Sequence, residues 1–259
     1  MIKIWQAIVL GVAQGLTEFL PVSSSGHLVL LQKLMGLDGE MLYFDILMHA
    51  ATLLAVIIIF RKDIWRLIKK PLSKESLLLV FSAIPTVAIV MLFKSAITDS
   101  FSGSYLGYGF LFTAVLLLVT DLAILRKKQR LALDRKIKLR SVLTMSIAQG
   151  FAVLPGISRS GSTICSGLIA GESRETAARF SFLMSIPIII GSMIMSIIDI
   201  GKIPDAFNFD FLPLFFGFVF AFVFGLFAIK FMLKIIKNRR FWPFVVYLIP
   251  LALASFFLI

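Results

Sequence analysis

Residues 154–163 read Leu154-Pro155-Gly156-Ile157-Ser158-Arg159-Ser160-Gly161-Ser162-Thr163. This stretch places a guanidinium and a run of hydroxyls after a Pro-Gly break, inside a segment that is otherwise apolar. A charged side chain in the hydrocarbon layer of a membrane costs about 2.5–3.5 kcal/mol on insertion scales, and it usually lines a polar cavity. We therefore expect Arg159 to hold an anion in such a cavity, and we expect that anion to be a phosphate.

The composition is that of a polytopic membrane protein. Hydrophobic residues make up 59% of the chain, charged residues make up 15%, and the mean hydropathy is +0.98. These values lie outside the range of soluble globular proteins. A helix needs about 20 apolar residues to cross a hydrocarbon core of ~30 Å. Six segments are predicted to span the membrane: 41–60, 76–93, 106–125, 176–198, 211–232 and 241–258.

The net charge of +12 does not indicate a nucleic-acid partner. Lysine and arginine lie mainly in the connections between apolar segments, where the positive-inside rule explains them. The basic connections, 61–74, 126–140 and 234–240, are predicted to be cytoplasmic. The connections at 94–105 and 199–210 hold one lysine each and are predicted to lie outside, as are both termini. The single cysteine, Cys165, excludes an internal disulfide.

Two further segments, residues 4–36 and 141–171, each consist of two apolar pieces that are too short to span. The first is broken at Pro21 and a serine cluster, and the second is broken at Pro155 and Gly156. Re-entrant helical hairpins fit this pattern. Because non-helical backbone at membrane depth must be surrounded by protein or water, we expect both hairpin tips to meet in one polar pocket.

The two hairpins begin the two halves of an internal repeat. Ala13-Gln14-Gly15 recurs as Ala148-Gln149-Gly150, and Ser23, Ser25 and Gly26 recur as Ser158, Ser160 and Gly161 at the same offset. Each half, about residues 1–130 and 136–259, holds one hairpin and three spans, and this odd number of crossings inverts the second half. The predicted fold is all-α: a single integral membrane domain of six transmembrane helices and two re-entrant hairpins in an inverted-topology repeat.

The first hairpin carries groups for acid–base chemistry. Gln14 and Glu18 are four residues apart and share a helix face, while Ser23, Ser24 and His27 lie on the next piece. Glu18 could bind a divalent cation or act as a base, and His27 could carry a proton. A serine hydroxyl could attack phosphorus once a base activates it.

The second hairpin lacks a carboxylate and a histidine and offers hydrogen-bond donors suited to phosphate instead. These donors are Ser158, Arg159, Ser160, Ser162 and Thr163. Purely structural roles are the alternatives: Ser23 and Ser158 as helix N-caps, and Gln14 as a hydrogen-bond partner of the neighbouring hairpin. A structural ion pair of Glu18 and Arg159 is a further alternative, although the cost of intramembrane charge favours a functional role.

These motifs resemble those of the undecaprenyl-diphosphate phosphatases of the bacitracin-resistance type. Residues 14–27, Gln-Gly-Leu-Thr-Glu-Phe-Leu-Pro-Val-Ser-Ser-Ser-Gly-His, resemble the first motif of that family, and residues 155–163 resemble its second. The resemblance covers essentially the whole chain. It implies a bacterial plasma-membrane enzyme, with its active site facing the outer side, that removes the terminal phosphate of undecaprenyl diphosphate. This reaction recycles the carrier lipid for peptidoglycan synthesis and confers bacitracin resistance.

By motif position, the resemblance implies functional roles for Gln14, Glu18, Ser24, His27, Ser158, Arg159 and Thr163. We predict catalytic roles for Glu18, Ser24, His27 and Arg159, with either Ser24 or a water as the nucleophile. We predict a divalent cation, Mg²⁺ or Ca²⁺, at Glu18, since Gln14 is the uncharged option at its motif position. Phosphate binding is predicted for Gln14, Ser23, Ser158, Arg159, Ser160, Ser162 and Thr163.

Two other functions remain open from the sequence. The inverted repeat and the midplane anion site also suit a lipid-phosphate transporter or flippase without hydrolysis. An anion channel is a third candidate, which the bulky residues of the hairpins disfavour. The expected partners are a polyprenyl diphosphate lipid and the bilayer, and the sequence leaves a homodimer open.

Overall fold

The computed structural model describes residues 2–37, 42–127, 137–200, 210–238 and 240–258. Those residues form thirteen α-helices and no β-strand. In chain order the helices are α1 (Ile4–Phe19), α2 (Ser24–Leu34), α3 (Leu42–Ile59), α4 (Arg61–Lys69), α5 (Lys74–Phe81), α6 (Ala83–Leu92), α7 (Lys94–Ser100), α8 (Leu106–Lys127), α9 (Leu139–Phe151), α10 (Arg159–Ile169), α11 (Arg174–Ile200), α12 (Phe211–Asn238) and α13 (Trp242–Leu258).

Four stretches of helix are long and apolar enough to cross a membrane. They are Lys74–Leu92, formed by α5 and α6, Leu106–Leu125 in α8, Arg174–Ile198 in α11, and Phe211–Lys237 in α12. A fifth is added if α3 and α4, which meet at an angle of 79°, count as one broken span. The remaining predicted span, residues 241–258, forms the apolar but shorter α13. The described residues therefore form an all-helical, multi-pass membrane protein with four or five helices of spanning length.

Both segments that the sequence divides into short pieces are pairs of short helices. α1 and α2 have 16 and 11 residues, and α9 and α10 have 13 and 11, all fewer than the ~20 needed to span. α1 stops where Leu20 turns extended, with φ −77° and ψ 149°, because a following proline disfavours the helical conformation. Gly156, with φ +85°, makes the second break, since only glycine adopts this conformation without strain.

Small residues bring α1 into close contact with α12. A Cβ on Gly11 would lie 2.4 Å from the carbonyl oxygen of Gly217, and a Cβ on Gly15 would lie 2.5 Å from that of Ala221. Helices in membranes pack closely through such small side chains. α9 packs in the same way on α6, while α8 packs on α13 and α3 on α12. α1 and α9, one helix of each short pair, are thereby each held against a stretch of spanning length.

Asp121 of α8 fixes the start of α13. Its Oδ2 accepts the backbone N–H of Phe241 at 2.6 Å and that of Trp242 at 3.1 Å. The first amides of a helix have no partner within the helix, so a carboxylate placed there stabilises the helix start.

Some features used to orient and divide the chain lie outside the described residues. These are residues 128–136 of the connection at 126–140, with the predicted boundary between the repeat halves, residues 201–209 of the connection at 199–210, residue 239 of the connection at 234–240, and the first residue of the span at 41–60. The orientation and the repeat boundary therefore stay predictions.

Candidate active site

The breaks of the two short helix pairs meet in one polar cleft. Ser160, on α10, donates a hydrogen bond from its Oγ to the carbonyl oxygen of Leu20 at 2.9 Å and so joins the breaks. The cleft has a volume of about 40 Å³, enough for a few water molecules. It is lined by Thr17, Glu18, Ser23, Ser24, Ser25, Ala152, Ile157, Ser158 and Arg159. Residues from both sequence motifs thus face the same small volume.

The carboxylate of Glu18 accepts hydrogen bonds from three neighbouring side chains in this part of the structure. Its Oε1 accepts a hydrogen bond from Nη2 of Arg159, with which it forms an ion pair. Its Oε2 accepts from Oγ of Ser24 at 2.5 Å and from Nε2 of Gln14 at 3.1 Å. Glu18 is buried, with 6% of its surface exposed. A buried carboxylate of this kind is stabilised only by such donors and a counter-charge.

Arg159 is the first residue of α10 and points its guanidinium at Glu18. Nη2 is used by the ion pair, whereas Nη1 is buried and has no hydrogen-bond partner among the residues that the structure describes. A guanidinium presents several donors in a rigid fork, which suits it to bridge two acceptors. Arg159 can therefore keep Glu18 and bind an oxygen of a second anion at once.

An unusual backbone conformation presents Ser24 to Glu18. The preceding residue, Ser23, has φ 69° and ψ 100°, and it is the sole non-glycine residue with positive φ in the described ranges. Conformations of this kind cost free energy and are concentrated at functional sites. Ser23 is also the N-cap of α2, since its Oγ accepts the N–H of Gly26 at 3.3 Å.

The second break is anchored to α8 through Ser158 and Thr113. Oγ of Ser158 accepts the N–H of Gly161 at 3.0 Å, which makes Ser158 the N-cap of α10. Its own N–H donates to Oγ1 of Thr113 at 3.0 Å, and Thr113 donates to the carbonyl oxygen of Gly156 at 2.9 Å. Ser23 and Ser158 are therefore both N-caps, which is the structural role that the sequence left open for them. Both also line the cleft. The free amides at the starts of α2 and α10 border the same space, as anion sites at helix N-termini do.

Five of the predicted site residues line the cleft, and the others do not. Gln14 lies behind Glu18, and its Nε2 also contacts Nδ1 of His49 at 3.3 Å rather than the second hairpin. Thr163 is fully buried and bonds Oγ of Ser181 at 2.6 Å. Ser160 bonds the Leu20 carbonyl, and Oγ of Ser162 is buried without a partner in the described part of the chain. The phosphate-binding roles of these residues stay predictions.

His27 is close to the cleft but outside its lining. Its Nδ1 lies 2.6 Å from the carbonyl oxygen of Ser23, and its Nε2 lies 2.7 Å from the hydroxyl of Tyr247 on α13. Both ring nitrogens of His27 are thus used by Ser23 and Tyr247, and within the described residues neither is hydrogen-bonded to Glu18 or Ser24. Its predicted catalytic role stays untested.

Sequence reasoning selected the charged and motif residues but missed several neighbours. Thr17, Ala152 and Ile157 line the cleft and were not singled out, whereas Ser25 appeared only as part of the internal repeat. Tyr247 lies 220 residues from His27 along the chain. No local pattern could have paired these two residues.

Glu18 is the only carboxylate among the residues lining the cleft. The described residues contain no group of three His, Cys, Asp or Glu side chains that could hold a metal ion. Mg²⁺, however, is often bound by one or two carboxylates together with substrate phosphates and waters. Gln14 turns its Nε2 toward Glu18, and its amide oxygen is buried without a partner in the same ranges. Glu18 is therefore the group in the cleft that fits a divalent cation shared with a phosphorylated substrate.

The fold and the cleft together define an integral membrane protein with a polar cleft that holds a buried ion pair. The sequence profile described as "Bacitracin resistance protein BacA" matches residues 7–254, and the chain belongs to this family.

Curated relatives span almost the whole chain. An "Undecaprenyl-diphosphatase" of Carboxydothermus hydrogenoformans is 44% identical over 238 residues, which cover 91% of this chain and 90% of that protein. One of Christiangramia forsetii is 37% identical over 262 residues and 97% of each chain. An "Undecaprenyl-diphosphatase 4" of Bacillus thuringiensis is 40% identical over 245 residues, 93% of this chain and 92% of that protein.

Proposed function

We propose that this protein hydrolyses undecaprenyl diphosphate to undecaprenyl phosphate and inorganic phosphate. Its family and the names of its relatives support this reaction and favour it over a flippase without hydrolysis. Within the site, the proposal rests on one observation: Glu18, Ser24 and Arg159 are hydrogen-bonded in a single cleft. The reaction returns the carrier lipid to peptidoglycan synthesis and counters bacitracin, which sequesters the diphosphate.

The geometry supports nucleophilic attack assisted by Glu18. The hydroxyl of Ser24 already donates to the carboxylate, which can take its proton as the Oγ–P bond forms. Undecaprenyl phosphate then leaves, and a water releases phosphate from the serine. In the alternative, Glu18 takes a proton from a water in the cleft and that water attacks directly. In both cases Nη1 of Arg159 and the amides that start α2 and α10 stabilise the phosphoryl oxygens.

The ion pair of Glu18 and Arg159 does not by itself require a function, since buried ion pairs also occur as structural elements. Two features favour a functional pair. One nitrogen of the guanidinium has no partner in the described residues although it is buried, and the pair borders a polar cleft rather than packed side chains. An unsatisfied buried donor is costly unless a ligand uses it.

A divalent cation would be held by Glu18. It would supply positive charge that neutralises the diphosphate. The other contributions come from the protein itself. Glu18 orients the hydroxyl of Ser24, Arg159 binds a phosphoryl oxygen, and the cleft limits access of bulk water.

For the membrane arrangement we propose six spans and two re-entrant hairpins in an inverted repeat. The packing is reciprocal, which supports this arrangement: α1 of the first half contacts α12 of the second, and α9 of the second half contacts α6 of the first. α6 and α12 would be the middle spans of their halves. The distribution of lysine and arginine supports a plasma-membrane orientation with the cleft open to the outer side.

Phosphate release from undecaprenyl diphosphate in detergent micelles with Mg²⁺ tests the function, because transport without hydrolysis releases no phosphate. Glu18→Ala and Arg159→Ala should each abolish release. Glu175→Ala and Arg61→Ala, at exposed positions, are matched controls and should keep it. Near-normal turnover in either site variant would remove that residue from the mechanism.

A second measurement identifies the nucleophile. Substrate labelled in its terminal phosphate is quenched in the first turnover, and the protein is analysed for phosphoserine. Label on Ser24 supports the serine pathway. Full turnover by Ser24→Ala, with no label on the wild-type protein, supports attack by water.

A further inference from the structure

We propose that Tyr247 is a positioning residue, which holds His27 so that His27 fixes the strained backbone that presents Ser24 to Glu18. Its expected effect on turnover rests on the proposed function, whereas the contacts themselves can be tested without any activity. Tyr247 belongs to α13, far in sequence from both motifs.

His27 connects α13 to the backbone at Ser23, between α1 and α2. Its Nε2 lies 2.7 Å from the hydroxyl of Tyr247, and its Nδ1 lies 2.6 Å from the carbonyl oxygen of Ser23. The rings of His27 and Tyr247 are nearly parallel, at 6°, with centroids 5.7 Å apart. On another side the imidazole meets Phe110 of α8 edge-on, with centroids 5.4 Å apart. The histidine is buried and held from several directions.

These contacts determine the tautomer of His27. A carbonyl oxygen only accepts hydrogen bonds, so Nδ1 must carry the proton that it shares with Ser23. In a neutral imidazole Nε2 is then the acceptor, and the hydroxyl of Tyr247 donates to it. Tyr247 therefore favours the one tautomer in which His27 can hold the Ser23 carbonyl.

The held residue is the one with the unusual backbone. Ser23 has φ 69°, a conformation that non-glycine residues keep only when surrounding contacts enforce it. The next residue, Ser24, places its Oγ 2.5 Å from the carboxylate of Glu18. The carbonyl of Ser23 also accepts the backbone N–H of His27 at 3.2 Å, so loss of the bond to Nδ1 weakens the hold on this peptide, and Ser24 shifts from its position at Glu18. Tyr247 thus affects the position of Ser24 through His27 and Ser23, although Tyr247 does not line the cleft.

The first test is nitrogen NMR of the histidine side chains. The chain has two histidines, so His49→Asn leaves His27 as the single source of imidazole signals. In protein labelled with ¹⁵N-histidine we expect a neutral ring protonated at Nδ1. In the Tyr247→Phe variant of the same background, the Nε2 resonance should move toward that of an imidazole nitrogen without a hydrogen-bond donor. A ring protonated at Nε2, or an Nε2 resonance that is unchanged by Tyr247→Phe, would overturn the proposal.

The second test is kinetic and uses the otherwise wild-type chain. Tyr247→Phe should lower kcat by about three- to tenfold, the effect of one hydrogen bond, and leave KM near its wild-type value because Tyr247 does not line the cleft. Tyr108→Phe is the matched control, at an exposed tyrosine of α8 that packs on Phe256. It should change neither constant.

The outcomes separate the two proposals. An unchanged kcat in Tyr247→Phe would overturn the positioning role even if the NMR signal moved as expected. A wild-type protein that releases no phosphate at all would overturn the proposed function instead. In that case the NMR test alone decides whether Tyr247 holds His27.

Discussion

Arg159→Lys separates the two tasks that the structure gives to one guanidinium. Arg159 bonds Glu18 through Nη2 and keeps Nη1 unpaired within the described residues. A lysine carries one compact ammonium, which can pair with Glu18 or approach the substrate but does not reproduce the planar fork. The variant therefore keeps the counter-charge of Glu18 and loses a donor aimed at the phosphoryl group.

The expected magnitudes follow from this division. Removal of one preorganised donor to a developing oxyanion lowers kcat by about 10²–10³-fold, which is the loss we expect for Arg159→Lys. Its stability should stay close to wild type, because Glu18 keeps a cation beside it. Arg159→Ala leaves a carboxylate of 5% side-chain exposure without its cation, and such a loss costs about 3–5 kcal/mol. The two variants should thus differ clearly in stability and both lose activity.

The assay is the initial rate of phosphate release in detergent over a range of substrate concentrations. Thermal unfolding followed by tryptophan fluorescence, on the same preparations, reports whether each variant is folded. A folded Arg159→Lys protein with near-wild-type kcat would refute the argument, because Nη1 would then have no part in the reaction. An unfolding temperature of Arg159→Ala equal to that of wild type would refute the energetic argument for the ion pair.

Three other predictions concern the break at Pro155 and Gly156, the start of α13 and the cation. In Gly109→Ala the new Cβ would lie 2.3 Å from the backbone oxygen of Pro155, so both the unfolding temperature and turnover should fall. Gly191→Ala, whose new Cβ would meet no atom of another described segment within 4 Å, should lower neither. Asp121→Ala should destabilise the protein by about 1–2 kcal/mol because the start of α13 loses its acceptor, and Asp121→Asn, measured in the same thermal unfolding assay, should recover most of this loss. Chelation by EDTA should stop phosphate release and added Mg²⁺ or Ca²⁺ should restore it; full activity in EDTA would exclude a cation at Glu18.

Helices and their breaks could be read from the sequence because the signals for them are local. Long apolar runs are helical in the structure, and Gly156, in a Pro-Gly pair, marks the second break. The same local signals did not show that residues 76–93 fall in two helices, α5 and α6, which meet at Ser82 within one stretch of spanning length. Residues 241–258 form the shorter α13, of 17 residues. Mean hydropathy is averaged over a window of residues, so it does not show where a helix bends or how deep in the membrane the helix lies.

The sequence by itself determined that the chain is helical and lies in a membrane. It also identified an acid and an arginine that need a polar environment. Both conclusions were possible because hydropathy and the cost of intramembrane charge depend on each residue and its neighbours. Only the tertiary structure decided that Glu18 meets Arg159, 141 residues away, and that His27 faces Tyr247 rather than the cleft. Such pairings depend on how α1, α10 and α13 pack. That packing is set by the shapes of many side chains together, and no single segment encodes it.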